Sequence, residues 1–184
     1  MTAKTKSRTL DLVYMATFAG IIAVCSWISI AFLDIVPFTL QTFAVFLALS
    51  LLGGRRAFGA LVVYVLLGAV GVPVFSGFKS GVAILLGPTG GYITGFLLMA
   101  LLFWGATTLF GHRLPVEIGA MAAGLLVCYA AGTAQFLLVM QSGGNPYTLG
   151  AALSMCVLPF LPIDAVKMAA AILLGRRLRR LLPV

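Results

Sequence analysis

Pro159-Phe160-Leu161-Pro162-Ile163-Asp164-Ala165-Val166-Lys167-Met168 places two opposite charges inside an otherwise apolar stretch. Asp164 and Lys167 are three residues apart, so in a helix they share one face. Leu149 to Leu158 before them and Met168 to Gly175 after them carry no charge and are mostly hydrophobic. A charge in such a setting is costly, and it calls for a partner, a polar cavity or a ligand.

The rest of the chain explains the setting. Of 184 residues, 62% are hydrophobic and only 9% charged, far from the balance of a soluble domain. The reading is an all-α integral membrane protein, one domain spanning residues 1–184. The net charge of +8 is carried by Lys and Arg clustered at the ends of apolar segments, and not along one face. Such clusters are topology signals, and they argue against nucleic acid as a partner. Cys25, Cys128 and Cys156 each stand alone in an apolar segment without CxxC spacing, and His112 is the only histidine. Neither a metal site nor a disulfide framework is expected, and no cofactor.

Residues 1–11, with Lys4, Lys6, Arg8 and Asp11, read as a short polar arm before an apolar run from Leu12 to Leu33. That run exceeds the roughly 20 residues a bilayer core needs, and the hydrophobic sequence beyond it argues for a retained first helix over a signal peptide. Ala16-xxx-Gly20 and Ala19-xxx-Ala23 give this helix a flat surface for close packing, against either its own neighbours or a partner. Asp34 and Pro37 mark a break. A second segment, Phe38 to Leu52, ends in Gly53-Gly54-Arg55-Arg56, and a third runs from Ala57 to Val72. Thr42 is read as a local cap, and Gln41 as either a ligand contact or a local hydrogen-bonding group.

Residues 73–91, PVFSGFKSGVAILLGPTGG, are too rich in Gly and Pro for one helix. Non-helical backbone at membrane depth is tolerated where it lines a cavity, so this connection is a candidate pocket wall or lid, with an ordinary outer loop as the alternative. Gly87-Pro88-Thr89-Gly90-Gly91 lacks the Gly-Lys-Ser/Thr ending of a phosphate loop. A fourth helix follows from Tyr92 to Phe110 and a fifth from Val116 to Met140, with His112 at the boundary between them. The sixth spans about Tyr147 to Gly175, interrupted by Pro159 and Pro162, and leads into a basic tail, 176–184.

Six transmembrane helices put both termini on one side. That side then carries Lys4, Lys6, Arg8, Arg55, Arg56, Arg113, Arg176, Arg177, Arg179 and Arg180, and the other only Lys79. By the positive-inside rule the basic side, with the N- and C-termini, is cytoplasmic, and the chain resides in the cytoplasmic membrane. At about 1.5 Å per residue Lys167 lies about 13 Å and Asp164 about 18 Å above the boundary set by Arg176, near the middle of the bilayer. A helix broken by prolines with charges at the midplane is how many transporters build a substrate site. The alternative is an internal salt bridge fixing the register of the last helix, a poor source of stability. As a site, the pair suits a ligand with an anionic group and polar NH groups, Lys167 meeting the anion and Asp164 accepting from the NH donors.

Four ordered segments give this reading a family. Val36-Pro37-Phe38-Thr39-Leu40-Gln41-Thr42, Gly68 to Phe75, Leu86 to Tyr92 with Gly95-Phe96, and Pro162-x-Asp164-x-x-Lys167 resemble the signature segments of the BioY family. These are the biotin-binding S components of energy-coupling factor (ECF) transporters. The resemblance implies capture of biotin from outside and docking on a transmembrane coupling subunit (T component) with two cytoplasmic ATPases. It implies that Asp164 and Lys167 contact the ligand, and that Ala16, Ala19, Gly20 and Ala23 meet the coupling subunit. Tyr92 and Phe75 are expected as walls, and Gln41, Gly90 and Gly91 complete the expected ligand-binding set. Phe78-Lys79-Ser80 departs from the small, neutral residues expected there.

The chain is therefore expected to capture a substrate with no chemistry of its own, since no phosphate loop, metal cluster or nucleophile with its base is present. The alternative is a self-sufficient secondary transporter of a small carboxylate-bearing substrate, with Asp164 protonated during transport. An intramembrane enzyme has little to draw on.

Overall fold

The computed structural model describes residues 3–30 and 37–181, with side chains described for 8–29 and 37–181. Its helices are α1 (Ala3–Trp27), α2 (Gln41–Leu52), α3 (Gly54–Ala69), α4 (Val82–Leu86), α5 (Gly90–Phe110), α6 (Leu114–Ser142), α7 (Leu149–Cys156) and α8 (Leu161–Arg179). Two short strands, β1 (Ser29–Ile30) and β2 (Phe38–Thr39), pair antiparallel, with Ser29 opposite Thr39. Asp34 and the expected break around it lie outside the described residues.

Among the described residues, three helical stretches are long and apolar enough to cross a membrane: Arg8–Trp27, Gly90–Phe110 and Leu114–Ser142. The α7–α8 pair, bent by 43°, makes a fourth if taken as one broken span. The apolar α2, at 12 residues, falls short of a bilayer core on its own.

Where boundaries differ from the sequence reading, local chemistry explains the shift. The polar arm is not separate: from Ala3 onward it is the start of α1. That helix stops at Trp27, before the expected Leu33, because Ile28-Ser29-Ile30 favours extended backbone and finds a partner in β2. The stop is fixed by tertiary bonds. Ser26 Oγ donates to Val74 O at 2.6 Å, and Trp27 Nε1 to Pro73 O at 2.9 Å. Pro162 does not interrupt a helix but opens one. It occupies the first turn of α8, where its missing N–H would have had no helical acceptor.

One end of the bundle gathers charge. There Arg56 pairs with Asp11 at 2.8 Å, Arg179 donates to Leu51 O at 3.3 Å, and the fully buried Glu117 accepts from Arg176 at 3.1 Å and Arg179 at 3.3 Å. Asp11 in the first half of α1 and Arg179 at the end of α8 both lie at this end. The long helices α5 and α6 approach so closely that a Cβ on Gly95 would lie 2.9 Å from Cys128 Cα. The core between the helices is apolar, built around Phe46, Leu49, Leu61, Met99 and Phe103. At the opposite end the irregular segments β2, 73–89 and the α7–α8 break converge, and a cavity lies among them.

Candidate functional site

The cavity, of about 410 Å³, is lined from five directions: Thr39 of β2 with Gln41 and Thr42 at the start of α2, the 75–89 connection, the first turns of α5, the middle of α6, and the α7–α8 break. Its apolar wall includes Phe75, Ile93, Phe96, Leu125 and Phe160. Its charged lining is Asp164, Lys167 and Lys79.

The bend before α8 sets the geometry of the pair. Because the chain breaks at 157–160 and restarts at Leu161, Asp164 falls in the first turn of a new helix, where the dipole favours negative charge. Asp164 is 1% exposed and Lys167 8%. Lys167 Nζ donates to Asp164 Oδ1 at 2.9 Å, to Thr42 Oγ1 at 3.0 Å and to Thr39 O at 2.7 Å. Thr42 in turn donates to Asp164 Oδ1 at 2.8 Å, and the Tyr129 hydroxyl to Asp164 Oδ2 at 2.7 Å. The ammonium has thus placed its three protons. It also lies 5.0 Å from the centre of the Phe38 ring, which stacks on Phe160 at 4.6 Å.

Three of these hydrogen-bond partners, Thr39, Thr42 and Tyr129, were not assigned to the site from the sequence. Thr42 is not a local cap: it bridges both charges. Tyr129 carries the only hydroxyl that reaches Asp164 Oδ2 among the described hydrogen bonds. A phenol in the middle of an apolar helix was the available signal, since a buried tyrosine hydroxyl needs an acceptor. Gln41 lines the cavity while its Nε2 donates to Tyr64 OH at 3.0 Å, joining α2 to α3. Phe75 and Tyr92 line the cavity as expected walls.

The two glycines expected as ligand contacts are placed differently. Gly90 and Gly91 are buried and do not line the cavity. A Cβ on Gly90 would collide with Leu85 O, and one on Gly91 would come within 2.6 Å of Ala131 O. They let the start of α5 seat against the end of α4 and against α6, and Gln135 ties that corner by donating to Leu85 O and Gly87 O at 2.7 and 2.8 Å.

On α1 the expected docking set divides. Ala19 and Ala23 are 2% and 5% exposed and pack inside the bundle, whereas Ala16 and Gly20 are exposed. Nothing lies within 4 Å of a Cβ built on Gly20. Only the Ala16-xxx-Gly20 half is open to a partner in this arrangement. His112 lies at the charged end, 3.6 Å from Glu117 and remote in the fold from the cavity.

The BioY family model matches residues 1–184. The chain is 39% identical over 171 residues to the biotin transporter BioY of Thermotoga maritima, covering 93% of this chain and 96% of that one. It is 38% identical to the probable biotin transporter BioY of Pyrococcus horikoshii, covering 95% and 98%. Among solved structures, the 2.1 Å crystal structure of the S-component for biotin from an ECF-type ABC transporter superposes with a TM-score of 0.81 at 26% identity, covering 98% of this chain and 95% of the other.

Proposed function

The chain belongs to the BioY family, and from that premise we propose that it captures biotin as the S component of an ECF-type transporter. The observation that carries this reading is the buried Asp164–Lys167 pair on the wall of a largely apolar cavity. Biotin needs apolar walls for its fused rings and alkyl chain, acceptors for its ureido NH groups, and a cation for its carboxylate. Asp164 Oδ2 accepts one described bond, from Tyr129, and a carboxylate oxygen can accept a second. The ligand-binding residues in this reading are Asp164, Tyr92, Phe75 and Gln41 on the cavity wall, with Lys167 neutralising and holding Asp164.

The whole chain acts in this proposal as one membrane domain with six spans, the shorter α2 and α3 crossing as inner, protein-covered helices. The charged end faces the cytoplasm and the cavity faces outward. This is supported by the positive-inside count and by the place of Asp11 and Arg179 at the charged end. The cytoplasmic membrane is then its location. Its partners are a T component, received on the Ala16–Gly20 face of α1, and two ATPases that supply the energy. The chain itself works without cofactor or catalysis. Co-purification from native membranes with labelled biotin tests the reading. Biotin and ATPase subunits arriving together support it. Biotin-driven proton movement in vesicles holding this chain alone would instead favour a self-sufficient secondary transporter.

A further inference from the structure

We propose that Lys79 is the residue that binds the carboxylate of the ligand, at the mouth of the cavity, and that Lys167 is not. The proposal rests on the biotin reading above and assigns the two ends of the molecule within it.

The cavity is lined by two cations and one acid. Lys167 is spent: its three donors go to Thr39 O, Thr42 Oγ1 and Asp164 Oδ1, and its charge is matched by Asp164. A carboxylate arriving at Lys167 would have to break one of these bonds and would face Asp164 across the same ammonium. Like charges crowded in a buried site are strongly disfavoured. The acceptor capacity left at the deep end is on Asp164 Oδ2, and it suits an NH donor. Lys79 is the reverse case. It is exposed, lines the same cavity, and its ammonium has no hydrogen bond or ion pair among the described residues.

The backbone holds Lys79 in place. Gly77 and Phe78 turn the chain through two successive left-handed conformations, φ 69° and 57°, and Phe75 N–H donates to Lys79 O at 3.0 Å to close the turn. Positive φ is strained for a phenylalanine. It is held by stacking of the Phe78 ring on Trp27 at 4.9 Å, whose indole is itself bonded to Pro73 O. On the inner side Phe75, 1% exposed, anchors the turn against Tyr64. The turn is clamped from both sides, and Lys79 emerges from it at the cavity rim. The ligand then enters with its NH-bearing ring deep on Asp164 and its carboxylate outermost on Lys79.

Calorimetric titration of the purified chain with biotin and with its neutral amide tests the assignment, in wild type, Lys79→Met and Lys79→Arg. The wild type should prefer biotin over the amide by about tenfold or more, the range of a charge-assisted contact. Lys79→Met should lose that preference while binding the amide as wild type does, and Lys79→Arg should keep it. An undiminished preference in Lys79→Met, or none in wild type, overturns the assignment. So does loss of both ligands in Lys79→Met and Lys79→Arg alike, which marks a structural role. Failure of the wild type to bind either ligand overturns the biotin reading itself.

Discussion

The Thr42 hydroxyl lies between the two buried charges, donating to Asp164 Oδ1 at 2.8 Å and accepting from Lys167 Nζ at 3.0 Å. Through it the start of α2 is locked to the first turn of α8, so the pair is both a fixture of the bundle and part of the cavity wall. These two roles separate under mutation.

Lys167→Met should destabilise the ligand-free protein by about 3–5 kcal/mol, because it strands Asp164 as an uncompensated buried acid. The double variant Asp164→Asn, Lys167→Met removes both charges and should recover most of that loss. Thermal unfolding in detergent, comparing the single and double variants, measures the difference. Equal destabilisation in both would mean the pair is not coupled.

Tyr129→Phe deletes one donor to Asp164 and keeps the ring. A hydrogen bond to a charged group is worth about 1.5–3 kcal/mol, and the unfolding midpoint should fall accordingly. An unchanged midpoint would indicate that the hydroxyl is not bonded to the acid.

Gly91→Ala should act on packing. Its Cβ would press on Ala131 O, and overpacking of this kind costs about 1–3 kcal/mol. Biotin affinity of the folded fraction should change less than about threefold, since the residue does not line the cavity. A large loss of affinity at unchanged stability would restore Gly91 as a ligand contact.

Glu117→Gln should weaken the charged end and spare the cavity. Glu117 is buried, but Arg176 and Arg179 are partly solvated, so the loss should be about 1–3 kcal/mol, below that of a fully enclosed pair. Biotin titration of this variant should match wild type, and a shifted affinity would show that the two ends are coupled.

Gly20→Leu adds bulk to the open face of α1 and should reduce co-purification of partner subunits without altering biotin binding. The same substitution at Ala23, which packs inside the bundle, should instead impair folding. Intact partner recovery with Gly20→Leu would move the docking surface elsewhere.

Much of this was legible in the chain. The apolar segments announced a helical membrane protein, and the three-residue spacing of Asp164 and Lys167 announced a paired site because a helix brings such positions to one face. The Gly- and Pro-rich stretch 73–91 read as a pocket wall for the physical reason the structure shows: Phe75, Pro88 and Thr89 line the cavity on irregular backbone. What stayed hidden depends on which helix faces which. Ala16 and Ala19 look alike in sequence, and only the seating of α1 against its neighbours buries one and leaves the other open. Thr42 and Tyr129 gain their roles from partners more than thirty residues away, which no local pattern encodes. Gly90 and Gly91 are ambiguous in the sequence, since close packing and ligand approach both favour a missing side chain.

The central claim is that the cavity bearing Asp164 and Lys167 is the biotin site. Calorimetric titration of purified wild type and of the double variant Asp164→Asn, Lys167→Met, each first verified as folded by its unfolding transition, tests it most directly. The account predicts tight, saturable biotin binding by the wild type and at least about tenfold weaker binding by the folded double variant, the loss of the charge-assisted contact to Asp164. Wild-type affinity in the double variant would contradict it.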